Sequence, residues 1–240
     1  MNTEQLIINS KPFLNYVVAW KEGLSSLPLA EVINGQADKV AVISVDIING
    51  FCYEGPLASP RVANLVEPIA TLFEQSHQMG VHHFILTQDN HPEDAVEFSN
   101  FPPHCVRESS ESDTVTRFKE LPFFNQFQVI SKRSLNSIIG TDLEGWLEAH
   151  PEVNTFITVG DCTDLCTYQL AMHLKLRANV RNEKIRVVLP VNCVETYDLP
   201  VEIAKQIGAL PHDGDLLHYI FLYHMMMNGI EVVAEVKNEG

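Results

Sequence analysis

Residues 39–46 read KVAVISVD: a lysine, six apolar or small residues, and an acid. The run shows neither the 3.6-residue stripe of a surface helix nor strict alternation. It suits a strand buried on both faces of a parallel sheet. Working outward, the same kind of run recurs at HHFILTQD (82–89), QVISK (128–132), TFITVG (155–160), IRVVLP (185–190) and EVVAEV (231–236). Between these six strands lie helical patterns. Residues 61–79 carry an apolar stripe through Ala63, Leu65, Val66, Ile69, Ala70, Leu72 and Phe73, with Gly80 as the C-terminal stop. Further helices are predicted over 142–149, from a cap at Thr163 or Asp164 to 177, over 199–207 and over 214–228. Residues 90–124 form a long irregular segment rich in Pro, Ser and Glu, and loops of this length in a compact domain are usually functional.

Strands that alternate with helices imply right-handed crossovers. The predicted fold is therefore α/β with three layers: a mostly parallel six-stranded, Rossmann-like sheet with helices on both faces. Residues 1–39 read as an N-terminal helical extension, with helices over 13–22 and 27–33 and a turn at Asn34-Gly35. Residues 40–240 read as the main domain.

The chain has 240 residues, 45% of them apolar and 20% charged, with a formal net charge of −15. That is enough chain for a full core. The acidic balance argues against nucleic acid and anionic membranes as partners. No apolar run approaches the ~20 residues of a membrane span. The start, MNTEQLIINSKPF, lacks a secretory pattern, which predicts a cytoplasmic protein. Five cysteines, an odd number, favour reduced thiols of which one can be reactive.

In open parallel sheets ligands bind beyond the carboxyl ends of the strands. Asp46, Asp89 and Lys132 each close a predicted strand, and Cys166 lies just past a fourth, where GDCTDLCTYQL (160–170) turns into a helix. A lone cysteine there is most often a buried apolar one. At a helix start, however, the dipole is expected to lower its pKa from ~8.5. The same turn offers backbone N–H groups at Cys162 and Cys166 for an oxyanion. Asp46 can take the thiol proton, and Lys132 can favour thiolate and offset the acid. A second group is metal-like: Asp89 and His91 in a D-x-H pair, and His104 in FPPHC (101–105). One carboxylate and two imidazoles suit Zn²⁺, Mn²⁺ or Fe²⁺ and leave positions open. The other histidines receive no role.

Taken together, VDIINGF with Asp46, ISKRS with Lys132 and GDCTDLC with Cys166 resemble the isochorismatase-like cysteine hydrolases. Asp89-Asn90-His91-Pro92 and Phe101-Pro102-Pro103-His104-Cys105 resemble the metal elements of the nicotinamidase branch. FCYEG (51–55) and NCVETYDLP (192–200) look most like its plant-type members. The resemblance covers the chain from about Val40 onward. It implies an isochorismatase-like hydrolase domain over 40–240, one divalent ion, zinc before manganese or iron, and a small aromatic amide as substrate. A homo-oligomer is implied as well. Cys166 would attack nicotinamide, or pyrazinamide, after Asp46 takes its proton. Ammonia would leave, and water would release the acid from a thioester, a step of NAD salvage. Phe51 and Phe101 match positions that flank the ring, and a cis peptide is expected near Asp161-Cys162-Thr163.

The chain departs from the pattern at three places. Phe101 replaces the usual Trp, Asn136-Ser137 stands where many members are aromatic, and Glu97 stands where some carry histidine. An alternative is a relative acting on another small amide or carbamoyl group, and metal-free members exist. A non-catalytic member would need a broken triad, and all three residues are present.

Overall fold

Every residue of the run that starts at Val40 is buried. Alternate side chains of a strand point to opposite faces, and this run feeds two cores at once. Val40 and Val42 join one apolar cluster, while Ala41, Ile43 and Val45 join the other. The computed structural model describes residues 1–238. Its strands are β1 (Leu27–Pro28), β2 (Val40–Val45), β3 (His83–Asp89), β4 (Phe127–Lys132), β5 (Thr155–Asp161), β6 (Arg186–Pro190), β7 (Val194–Glu195), β8 (Glu231–Val233) and β9 (Val236–Lys237).

The main sheet runs in the order β4-β3-β2-β5-β6-β8, with β7 paired to the end of β5. All of its pairings are parallel. On one face Val66–Gln78 buries Val66, Ile69, Ala70, Leu72 and Phe73. On the other, Asp142–Ala149, Cys166–Arg181 and Gly214–Met227 contribute Leu143, Trp146, Leu170, Leu174 and Leu222. The three-layer α/β fold is as expected. Among the described residues no helix is long and apolar enough to cross a membrane.

Several local features differ from the sequence reading. The main sheet has seven strands, because the two-residue β7 lies inside a polar segment with no alternation to mark it. The final run splits at Ala234 into β8 and β9, and β9 leaves the main sheet to pair with β1. The predicted helix over 27–33 accordingly begins as a strand and becomes helical only at Leu29–Ile33. The predicted helix over 61–79 is two, Pro60–Ala63 and Val66–Gln78. The first helix spans Thr3–Glu22 with Pro12 inside it. A proline reads as a helix start, so the turns before it are missed. Tertiary contact holds this helix: Phe13, Tyr16 and Trp20 pack edge-on around Tyr223 of Gly214–Met227 at 5.3–5.8 Å.

The chain builds outward from β2 through β3 to β4, then returns to β5 on the other side of β2 and continues to β6 and β8. Connections therefore diverge between β2 and β5, and a crevice opens at the carboxyl ends of these two strands. Gly160 lets them meet. It sits opposite Val45 in the register at φ +112°, and a Cβ there would overlap the Val45 carbonyl oxygen. Gly160→Ala should therefore destabilise the fold by about 2 kcal/mol or more, from backbone strain plus the collision. Denaturant unfolding measures this, and an unchanged midpoint would contradict it.

Candidate active site

Asp89 and Lys132 are register partners at the ends of β3 and β4, and Asp46 follows the last residue of the neighbouring β2. Parallel pairing thus brings three ionisable residues, distant in sequence, to one sheet edge. Asp46 sits at φ +56°, a left-handed conformation that aspartate tolerates better than most residues. Its Oδ1 accepts the backbone N–H of Asp89 at 2.9 Å. Lys132 is 1% exposed. Its Nζ lies 2.6 Å from Asp46 Oδ2 and 2.6 Å from Asp89 Oδ1, and it donates to Cys166 Sγ at 3.5 Å. The structure therefore brings together the acid, the amine and the thiol that the sequence singled out.

Burial works against charge on Lys132, but the two carboxylates outweigh it and hold the ammonium firmly protonated. Asp46 is pushed up to about 6 by burial and by Asp89, against the pull of Lys132. Burial also raises Asp89, but Lys132 and the two imidazoles outweigh that and keep it ionised. Cys166 corrects the expectation of a lowered thiol pKa. It does open the helix Cys166–Arg181, yet full burial pushes the thiol well up, and Lys132 only partly opposes this. Desolvation of a thiolate outweighs the helix dipole here. The resting pair is thus a neutral thiol beside a carboxylate, poised for proton transfer.

The turn before Cys166 is also built differently from the expectation. Neither Thr163 nor Asp164 caps the helix. The N-cap is Leu165, with no side-chain hydrogen bond, and the helix runs on to Arg181. Thr163 instead shares a hydrogen bond with His218 Nδ1 at 2.9 Å. Asp164 accepts from Thr196 Oγ1 at 2.6 Å and from His212 Nε2 at 2.8 Å. The Cys162 carbonyl accepts the N–H groups of Leu165 and Thr167. The Asp161–Cys162 peptide is cis, within the segment where the resemblance places one.

Asp89, His91 and His104 form the second group. Their ligand atoms lie within 4.8 Å of one another. His104 Nδ1 donates to the Pro102 carbonyl at 2.8 Å, which turns Nε2 toward Asp89 Oδ2, 3.8 Å away. His91 is fully buried; among the described residues neither ring nitrogen has a hydrogen-bond partner, and Nε2 faces Asp89 Oδ1 at 3.4 Å. A buried imidazole without a hydrogen-bond partner is costly, and a ring nitrogen facing a carboxylate and a second imidazole suits a divalent cation. The donor set therefore fits such an ion. Asp46, Asp89 and Cys166 also lie within 4.8 Å of one another, but the Lys132 ammonium occupies their centre and excludes a cation.

A cavity of about 480 Å³, counted out to solvent, joins the two groups. Asp46, Asp89, His104 and Cys166 line it, along with Phe51, Phe101, Cys162, Glu97, Asp161 and Tyr197. Phe51 and Phe101 stand edge-on to His104, with centroids at 5.7 and 6.2 Å. Sequence reasoning missed Asp161, Tyr197 and His212. Asp161 carried the signal that found Asp46, an acid closing an apolar strand. His212 gave none, because its role comes from a fold-back of the chain.

His212 ties this turn to the segment around Tyr197. Its Nδ1 faces the Tyr197 carbonyl at 2.9 Å and its Nε2 faces Asp164. Both partners are acceptors, so both ring nitrogens carry protons. Burial lowers the His212 pKa, but Asp164 outweighs it and the net shift is upward. A raised folded-state pKa contributes stability that is complete below the ordinary value of 6.5 and is lost as pH rises through the folded one. His212→Gln should thus cost about 1–2 kcal/mol near pH 5.5 and clearly less at pH 9. Unfolding at the two pH values tests this, and an equal cost at both would contradict it.

The chain and its fold are similar to those of known proteins. The chain is 29% identical to Nicotinamidase 1 of Arabidopsis thaliana over 226 residues, covering 87% of this chain and 91% of the relative. The fold resembles a cysteine hydrolase from Pseudomonas syringae pv. phaseolicola, with TM-score 0.68 and 20% identity over 82% of this chain and 89% of that one. It also resembles the pyrazinamidase of Pyrococcus horikoshii solved in complex with zinc, with TM-score 0.61 and 22% identity over 81% of this chain and 98% of that one. Residues 40–202 match the Isochorismatase domain, and with that match over two thirds of its length the chain belongs to the isochorismatase family.

Proposed function

We propose that the chain is a metal-containing cysteine amidohydrolase that converts nicotinamide to nicotinate and ammonia through a thioester, a step that feeds NAD salvage. One observation carries this reading. Asp89 belongs both to the Lys132 network beside Cys166 and to the cluster with His91 and His104. The nucleophile and a cation site are thereby fixed relative to each other across one cavity. That layout suits a small ring bearing an acceptor nitrogen at one end and a carboxamide at the other. The similarity to a plant nicotinamidase supports the same substrate.

In this reading Cys166 is the nucleophile and Asp46 the base. Asp46 takes the thiol proton as sulfur attacks the carboxamide carbon, and gives it to the departing nitrogen. Lys132 keeps Asp46 and Asp89 ionised and lowers the cost of the transient thiolate. The backbone N–H groups of Cys162 and Cys166 hold the oxyanion, and Phe51 and Phe101 flank the ring. Asp46 then activates the water that cleaves the thioester. Asp89, His91 and His104 would hold a divalent ion, proposed as zinc, and such an ion would offer Lewis acidity to a ring nitrogen. Residues 1–39 are read as an extension to a hydrolase domain over 40–240. The five unpaired cysteines support a reducing, cytoplasmic setting, and a homo-oligomer is carried over from the family resemblance. A different small amide or carbamoyl substrate is the second reading. It draws on Asp161, an acid of the cavity wall that the nicotinamide reading leaves without a role.

The test is ammonia release from nicotinamide, pyrazinamide and an aliphatic amide. Both aromatic amides should turn over, and Cys166→Ala should lose activity by about 1000-fold or more. Preference for the aliphatic amide would overturn the substrate assignment. Chelation of the metal should raise KM for nicotinamide by about tenfold, a loss of about 1.4 kcal/mol of binding. An unchanged KM would remove the ring anchor.

A further inference from the structure

Four acidic side chains line the cavity, and Lys132 is committed to two of them, Asp46 and Asp89. Asp161 is the one left deeply buried without an ion-pair partner among the described residues. It closes β5 directly after Gly160, whose close approach to Val45 brings this strand end beside Asp46. It is 1% exposed. Its Oδ2 accepts the Cys162 thiol at 3.5 Å. Its Oδ1 is buried and has no hydrogen-bond partner among the described residues. A buried polar oxygen left bare costs stability, and in a ligand cavity its natural partner is the ligand.

Burial, and then the neighbouring charge of Asp46, push the Asp161 carboxyl up and favour its protonated form. Oδ2 is already an acceptor, so the proton belongs on Oδ1, the bare atom. A neutral carboxyl offers what an ionised one cannot: an O–H donor in a dry site, a device suited to holding a developing oxyanion. The amide nitrogen of a substrate needs an acceptor instead, and the Asp46 carboxylate supplies one.

We propose that Asp161 contacts the substrate directly, its Oδ1 hydroxyl donating a hydrogen bond to the carbonyl oxygen of the carboxamide that Cys166 attacks. The inference rests on the amidohydrolase reading above and adds a side-chain donor to the two backbone ones. As sulfur bonds to the carbonyl carbon, the C=O π pair moves to oxygen and the thiol proton passes to Asp46. Asp161 keeps its own proton and holds the oxyanion more tightly than the carbonyl. On collapse the pair returns, the C–N bond breaks, and nitrogen leaves as ammonia with the proton from Asp46.

The experiment compares kcat and KM for ammonia release by metal-loaded wild type, Asp161→Asn and Asp161→Val, with unfolding midpoints for all three. Asn keeps a neutral donor of similar shape, and Val removes it. Asp161→Val should lower kcat by about 100-fold with KM changed less than about threefold, and Asp161→Asn should stay within about tenfold of wild type. Wild-type kcat in Asp161→Val overturns the proposal. So does a loss of about 100-fold in Asp161→Asn at wild-type stability, and this second arm decides the matter if the valine variant does not fold. If wild type ignores nicotinamide but hydrolyses another amide, the substrate reading fails on its own. The Asp161 comparison is then made with that amide.

Discussion

The site depends on a single buried cation. Lys132 places one ammonium 2.6 Å from each of two carboxylates and 3.5 Å from a thiol, with no solvent to share the charge. A buried ion pair is seldom retained for stability alone, since well-packed apolar residues often do as well. What it achieves here is coexistence. Without the lysine, Asp46 and Asp89 would repel each other in a low-dielectric pocket, and one would take up a proton. With it, Asp89 stays ionised as a metal-type ligand, and Asp46 is held near 6, within reach of both protonation states.

The rest of the fold serves to put that cation in place. Register between β3 and β4 sets Lys132 beside Asp89, and the left-handed turn after β2 aims Asp46 at both. Gly160 allows β5 to close on β2, which carries the Cys166 turn into range. Behind that turn, the His212 imidazolium ties Asp164 to the segment around Tyr197. Each device is backbone geometry or a buried hydrogen bond, so the constellation is held by the scaffold rather than by solvent-exposed loops.

Much of this was legible in the sequence because it rests on local pattern. Continuous apolar runs marked the core strands, and acids or a lysine at their ends marked the sheet edge where Asp46, Asp89 and Lys132 meet. The D-x-H pair and FPPHC gave the second cluster. Several of the failures share a cause: they depend on contacts between distant segments. The β1–β9 pair joins Leu27 and Pro28 to Val236 and Lys237, some 209 residues away, and β7 exists only because β5 extends past β6. The Cys166 thiol is raised rather than lowered because its burial is a tertiary property that a helix-start motif does not encode. Asp164 looked like a cap because nothing nearby in sequence announces His212.

The most direct measurement is on Lys132→Met, which keeps the stem and removes the charge, with ammonia release and unfolding recorded on the same preparation. The account predicts that turnover falls by about 100-fold or more and that stability drops by about 3–5 kcal/mol, as two buried carboxylates lose their partner. Turnover and stability both close to those of the unaltered protein would contradict it.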